Sequence, residues 1–256
     1  DNRIVFMIPY LDKFSIIGTT DLEYKGDPRE VAIDDVEVDY LIDIVNQHFV
    51  KQLERDDVVW TYSGVRPLCD DESDTPQAIT RDYTLELDAE MDQAPLLSIF
   101  GGKLTTYRKL GEAALNKLEP YLKHMGAPWT ANDTLPGGNF SCSREQLAAM
   151  MHTKYPWASE ALLLRYVTQF GTYTWDLLEG AMCEADLGIQ FSSEAHGVYQ
   201  AEIDYLINQE MAMTDEDILW RRTKLGLYMS ESEQQALSDY LKEKLQRKVV
   251  SFSQVG

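Results

Sequence analysis

Pro95-Leu96-Leu97-Ser98-Ile99-Phe100-Gly101-Gly102-Lys103-Leu104-Thr105-Thr106-Tyr107-Arg108 reads as an apolar strand that runs into two glycines and then a helix. The helical part places Tyr107, Leu110, Ala114, Leu118 and Tyr121 on one face. Two glycines between strand and helix let another group approach the backbone closely. The free N–H groups of the first helical turn point at that group, with the positive end of the helix dipole behind them. Lys103 adds a movable positive charge. Two readings fit: a seat for an electron-rich ring or an anion, or an ordinary strand–helix turn with a solvated lysine.

Upstream, Arg3 to Tyr10 and Lys13 to Thr20 are rich in β-branched and aromatic residues and read as a hairpin joined by Leu11-Asp12. Asp34 and Glu37 form a capping box ahead of Val38, Leu41, Ile42, Val45 and Phe49 at helical spacing. Val58 to Tyr62 is a short strand candidate, and residues 79–87 alternate as a further strand. The character changes near Leu135-Pro136-Gly137-Gly138, after which helices are expected at 143–154, 158–170, 173–179, 193–212, 214–227 and 231–249. The expected division is a mixed region over 1–125, a linker over 126–138 and an all-helical domain over 139–256.

The 256 residues carry 43 acidic and 23 basic side chains, a formal net charge of −20. The segment before Gly138 has a net charge of −13 and the rest −7. Both are acidic, which disfavours nucleic-acid binding and broad attachment to anionic lipid. Cys69, Cys142 and Cys183 are widely spaced and form no CxxC, and the four histidines are isolated. Reduced thiols in a cytoplasmic protein and no metal site are expected. No apolar run reaches the length of a spanning helix. The opening Asp1 just ahead of a strand-like run suggests a fragment or a processed product.

Arg66 in Tyr62-Ser63-Gly64-Val65-Arg66-Pro67-Leu68, Arg81 in Thr80-Arg81-Asp82-Tyr83, and Lys103 all lie at the edges of strand-like segments. Arginine forks suit phosphate or carboxylate; pairing with nearby acids such as Asp70, Asp71, Asp74 and Asp82 is the other reading. The acidic run Asp70 to Asp74 lacks the full ligand pattern of a calcium loop. Trp220-Arg221-Arg222-Thr223-Lys224 follows Asp215-Glu216-Asp217, so ion pairs within one helix account for it, or an acidic partner docks there. The last helix combines Lys242, Lys244, Arg247 and Lys248 with Leu237, Leu241, Leu245 and Val249, a pattern for packing on its own domain or for lying on a membrane.

Gly18-Thr19-Thr20-Asp21, the segments around Arg66 and Arg81, and Gly101 to Arg108 resemble, in order and spacing, the aerobic FAD-dependent glycerol-3-phosphate dehydrogenases. Leu135-Pro136-Gly137-Gly138 and Leu219 to Gly226 extend the resemblance over nearly the whole chain. It implies an α+β chain: part of the substrate-binding sheet of an oxidoreductase of the D-amino-acid-oxidase-like type, then an all-α domain. The glycine-rich βαβ unit that opens such enzymes and holds the FAD pyrophosphate is absent here. The resemblance therefore implies the C-terminal half, inactive alone and not retaining FAD without its N-terminal half.

The resemblance further implies that Gly101, Gly102, Lys103, Leu104, Thr105 and Thr106 contact FAD. Arg66 and Arg81 would bind the phosphate of sn-glycerol 3-phosphate, and Lys103 would stand at the reaction centre. Electrons would pass to a membrane quinone from a cytoplasmic, peripherally attached enzyme. A homodimer is a further expected association; a helical assembly or membrane-docking module and another flavin oxidase of the amine-oxidase type are the alternative readings.

Overall fold

The structure, a computed structural model, describes residues 4–66, 82–90 and 93–253, with side chains up to residue 246. The chain divides into two compact units, Asp1–Ala131 and Asn132–Gly256. Helices and short sheets are mixed, so the chain is α+β.

In the first unit, β1 (Phe6–Tyr10) and β2 (Phe14–Gly18) pair antiparallel, with Tyr10 opposite Phe14. Lys13 thus joins the turn, which the sequence confined to Leu11-Asp12. Leu11 and Asp12 turn the chain with φ of 48° and 59°, and positive φ at consecutive turn residues matches strand twist. The helix α1 (Asp35–His48) starts at the expected capping box: Glu37 N–H donates to Asp34 Oδ1 at 2.8 Å and Asp34 N–H to Glu37 Oε2 at 3.3 Å. Leu41 and Val45 are its buried residues, and Phe49 is exposed.

Residues 58–62 form no strand. β-branched residues need a neighbouring backbone to pair with, and here Trp60 and Tyr62 stack instead, ring centroids 5.2 Å apart. β3 (Tyr83–Asp88) pairs antiparallel with β4 (Leu96–Gly101), Tyr83 lying opposite Gly101. Along β3, Tyr83, Leu85 and Leu87 are half-buried while Thr84, Glu86 and Asp88 are exposed, the alternation read from the sequence. Residues 79–81 of that expected strand lie outside the described residues. A single 3-10 turn, Leu104–Thr106, leads into α2 (Tyr107–Leu118).

The second unit holds α3 (Arg144–Lys154), α4 (Glu160–Phe170) and α5 (Thr174–Leu177), with Ser143 and Ser159 capping the first two. It is not all helical. β5 (Gln190–Ser192) pairs with β6 (Val198–Tyr199), and α6 (Gln200–Gln209) starts seven residues later than the helix expected from 193. Ala195, His196 and Gly197 have φ of 48°, 66° and 104°, three left-handed residues in a row that no right-handed helix accepts. The expected helix over 214–227 is likewise broken. A π-helical turn over Asp217–Arg222 ends before Lys224, whose φ is 72°. α7 (Glu231–Ser253) closes the unit.

Met151, Leu163, Tyr166, Leu178, Ile203, Leu206, Ile218 and Leu237 are fully buried in one core. Arg165 and Glu202 form a two-pronged ion pair inside this unit, at 2.7 and 2.8 Å, and Glu202 is entirely enclosed. Arg165 also donates to the Gly197 carbonyl at 2.6 Å, tying α4 and α6 to the β5–β6 turn. The motif Leu135 to Gly138 has a packing role: Gly137 (φ 79°) and Gly171 (φ 58°) meet backbone to backbone, and Thr172 N–H donates to Gly137 O at 2.9 Å. A Cβ on Gly171 would collide with the Gly137 carbonyl. Gly226 similarly lies against the ring of Trp220.

Two outcomes follow. Gly171→Ala combines backbone strain with that collision and should lower unfolding stability by about 2 kcal/mol or more, read by denaturant melts; a loss within ~0.5 kcal/mol contradicts the close approach. Asp217 accepts from Met213 N–H and Thr214 N–H at 2.9 and 3.0 Å and pairs with Arg221, which brings its carboxyl down to about 2. A lowered folded value stabilises fully above the ordinary 3.8 and loses that contribution as pH falls towards about 2. Asp217→Asn should therefore cost about 2 kcal/mol at neutral pH, and the melts of the two proteins should converge in acid; a gap independent of pH contradicts the assignment.

Candidate functional site

The glycine turn is built where β4 ends. Gly101 and Gly102 have φ of 68° and 99°, conformations that favour glycine. A Cβ on Gly102 would stand 3.4 Å from Tyr83 Cβ, in ordinary contact with β3. Thr106 N–H donates to Lys103 O at 3.0 Å, as does the Thr106 hydroxyl. Tyr107 N–H donates to Leu104 O. The N–H groups of Leu104 and Thr105 precede these bonds, and neither the 3-10 turn nor α2 has a side-chain cap. Lys103 is exposed, and Phe100, Leu104 (90% exposed) and Tyr107 give the rim an apolar surface. Backbone donors, no Cβ at the glycines and an apolar rim suit a flat ring with an electron-rich edge.

Arg66 donates through Nη1 to Asp21 Oδ2 at 2.7 Å. This partner comes from the Gly18 to Asp21 motif after β2, 45 residues away in sequence. Both side chains are more than two-fifths exposed, so the pair adds at most about 1 kcal/mol to stability. Arg81 lies outside the described residues, as does the acidic run 70–74.

One cluster escaped the sequence reading. Arg108, the last residue of the glycine-turn motif, donates to Glu112 Oε1 at 2.9 Å and to Thr130 Oγ1 at 3.3 Å, and the Thr130 hydroxyl donates to Glu112 Oε1 at 2.5 Å. The Thr130 hydrogen bond, aided by Arg108 and Lys109, holds the Glu112 carboxyl below its ordinary value. Arg108 thus fastens the start of α2 to the end of the unit. The i,i+4 spacing of Arg108 and Glu112 was a visible signal; Thr130 was not.

The other basic groups are held locally. Arg221 pairs with Asp217 at 3.0 Å and Glu216 at 2.6 Å, the local ion pairing read from the sequence. Arg222 Nε donates to the Glu210 carbonyl at 2.9 Å, and Lys224 Nζ to the Trp220 carbonyl. On α7, Leu237 and Leu241 are buried in the core and Leu245 packs against it, while Lys244 pairs with Asp204 at 2.6 Å. That apolar face is therefore used within the unit; side chains from Arg247 onward are not described. Among the described residues no three His, Cys, Asp or Glu side chains are grouped as for a metal, and no helix is long and apolar enough to cross a membrane. Cys142 and Cys183 are free thiols.

Comparison with known proteins agrees with the motif reading. The family described as FAD dependent oxidoreductase matches residues 1–108, and the C-terminal domain of alpha-glycerophosphate oxidase matches residues 129–246. The aerobic glycerol-3-phosphate dehydrogenase of Escherichia coli (strain K12) is 52% identical over 97% of this chain and 49% of its own length. The glycerol-3-phosphate dehydrogenase of Pseudomonas aeruginosa is 53% identical over 94% of the chain and 46% of its own length. The D-erythritol 1-phosphate dehydrogenase of Brucella abortus is 42% identical over 94% and 47% respectively. The chain spans about half the length of these relatives. With both successive domains matched and about half of all positions identical to these relatives, the chain belongs to the FAD dependent oxidoreductases of the glycerol-3-phosphate dehydrogenase family.

Proposed function

We propose that this chain forms the substrate side of an enzyme that oxidises sn-glycerol 3-phosphate to dihydroxyacetone phosphate. The uncapped, left-handed glycine turn carries this reading, in a family whose name states its cofactor. FAD would supply the acceptor for the hydride that leaves C2 as the C2 hydroxyl gives up its proton to a base, and in this reading the electrons would go on to a membrane quinone. The N–H groups of Leu104 and Thr105 hold the electron-rich edge of the ring, where the helix dipole favours negative charge. Gly101 and Gly102 keep side-chain atoms out of the ring's way. Lys103 presents its ammonium to the reacting end of the substrate.

Arg66 and Arg81 hold the phosphate and so fix which carbon faces the ring. The named substrates of the relatives, glycerol 3-phosphate and D-erythritol 1-phosphate, share a phosphate on a polyol. That supports assigning the arginines to the common group; the higher identities favour glycerol 3-phosphate. The mixed region acts as part of the substrate-binding sheet, and the second unit packs as a separate domain. In this reading the chain needs the rest of the enzyme to retain FAD and to turn over. The enzyme works on the cytoplasmic face of the membrane as a peripheral protein.

In the full-length, FAD-loaded enzyme, Arg66→Ala and Arg81→Ala should each lower kcat/KM about ten- to hundredfold. This is the scale of one lost charge-assisted contact, ~1.5–3 kcal/mol. Steady-state kinetics with sn-glycerol 3-phosphate measure it. A change smaller than about threefold removes that arginine from the phosphate site.

A further inference from the structure

Arg66 and Asp21 are brought together from separate motifs, and neither strand pairing nor a helix joins them. Asp21 follows β2 by three residues, and Arg66 lies in an irregular segment more than forty residues later. A pair this open to water adds little to the fold. Its effect falls on the arginine. An unrestrained guanidinium loses much rotamer freedom when it grips a ligand, and a fixed carboxylate removes part of that loss beforehand. Among the described residues the contact to Asp21 runs through Nη1. One nitrogen of the guanidinium is held at 2.7 Å, which restricts the rotamers open to the whole planar fork.

We propose that Asp21 is a positioning residue that orients Arg66 for the substrate phosphate. This rests on the functional reading above, because it takes Arg66 as a phosphate ligand. Two terms of opposite sign compete. Asp21 orients the fork, which favours phosphate, and its own negative charge opposes a dianion. The direct 2.7 Å contact places the orienting term on the guanidinium itself, whereas exposure lets water and salt screen the repulsion. Orientation therefore dominates, and loss of Asp21 weakens binding.

The test uses the full-length, FAD-loaded enzyme with Asp21→Ala, Asp21→Glu, Arg66→Ala and the double variant. KM and kcat are measured with sn-glycerol 3-phosphate, and the dissociation constant of dihydroxyacetone phosphate is read from the flavin absorbance change. Asp21→Ala should raise KM and that dissociation constant about three- to fivefold, with kcat within about twofold. Asp21→Glu should recover part of the loss. The double variant should bind no worse than Arg66→Ala, since both substitutions remove one coupled unit. The flavin spectrum and melting temperature check that each variant is folded; should Asp21→Ala fail to fold, Asp21→Asn takes its place. Unchanged or tighter binding without Asp21, or effects of the two substitutions that simply add, overturns the proposal while Arg66→Ala still weakens binding. If Arg66→Ala itself leaves binding unchanged, the phosphate reading of Arg66 has failed, and the proposal with it.

Discussion

Two adjacent left-handed glycines, Gly101 and Gly102, set the course of the chain where β4 gives way to α2. They end β4, allow contact with Tyr83 of the paired strand, and release the chain into a short turn ahead of α2. A side chain at either position would strain the backbone. Arg108 then fastens the first turn of α2 through Glu112 and Thr130.

The motifs shared with the family divide into two kinds of work. Gly101 to Thr105 and Arg66 are exposed, and the proposed function assigns them to ligand contact. Leu135 to Gly138 and Leu219 to Gly226 face inward, where Gly137 meets Gly171 and Gly226 lies under Trp220. The second unit is consolidated by the Arg165–Glu202 pair, enclosed by apolar side chains and joined to the Gly197 carbonyl. Breaking a buried pair of this kind leaves a charge with no compensation, so removing either partner is costly.

Local signals made much of this fold legible. The Asp34–Glu37 capping box, the alternation of β3 and the strand–glycine–helix order each depend on residues a few positions apart. Where the reading failed, long-range or conformational facts decided the outcome. Three left-handed residues at Ala195 to Gly197 broke a helical pattern, and a hairpin replaced it. Val58 to Tyr62 had strand composition but no ladder. For the site, the glycine turn was readable because strand and helix are adjacent in sequence. The Asp21 partner of Arg66 was not, because spacing pointed to nearer acids while folding brought in one 45 residues away. Arg81 lies outside the described residues, so its place beside Arg66 stays with the functional proposal.

The most direct measurement follows the flavin absorbance of the full-length, FAD-loaded protein under anaerobic conditions as sn-glycerol 3-phosphate is added. The account predicts bleaching of the flavin band in stoichiometric proportion to substrate, since the hydride has no other acceptor. A flavin that stays oxidised while substrate is present in excess would contradict it, and would leave the glycine turn as a ring-binding element in an enzyme of different specificity.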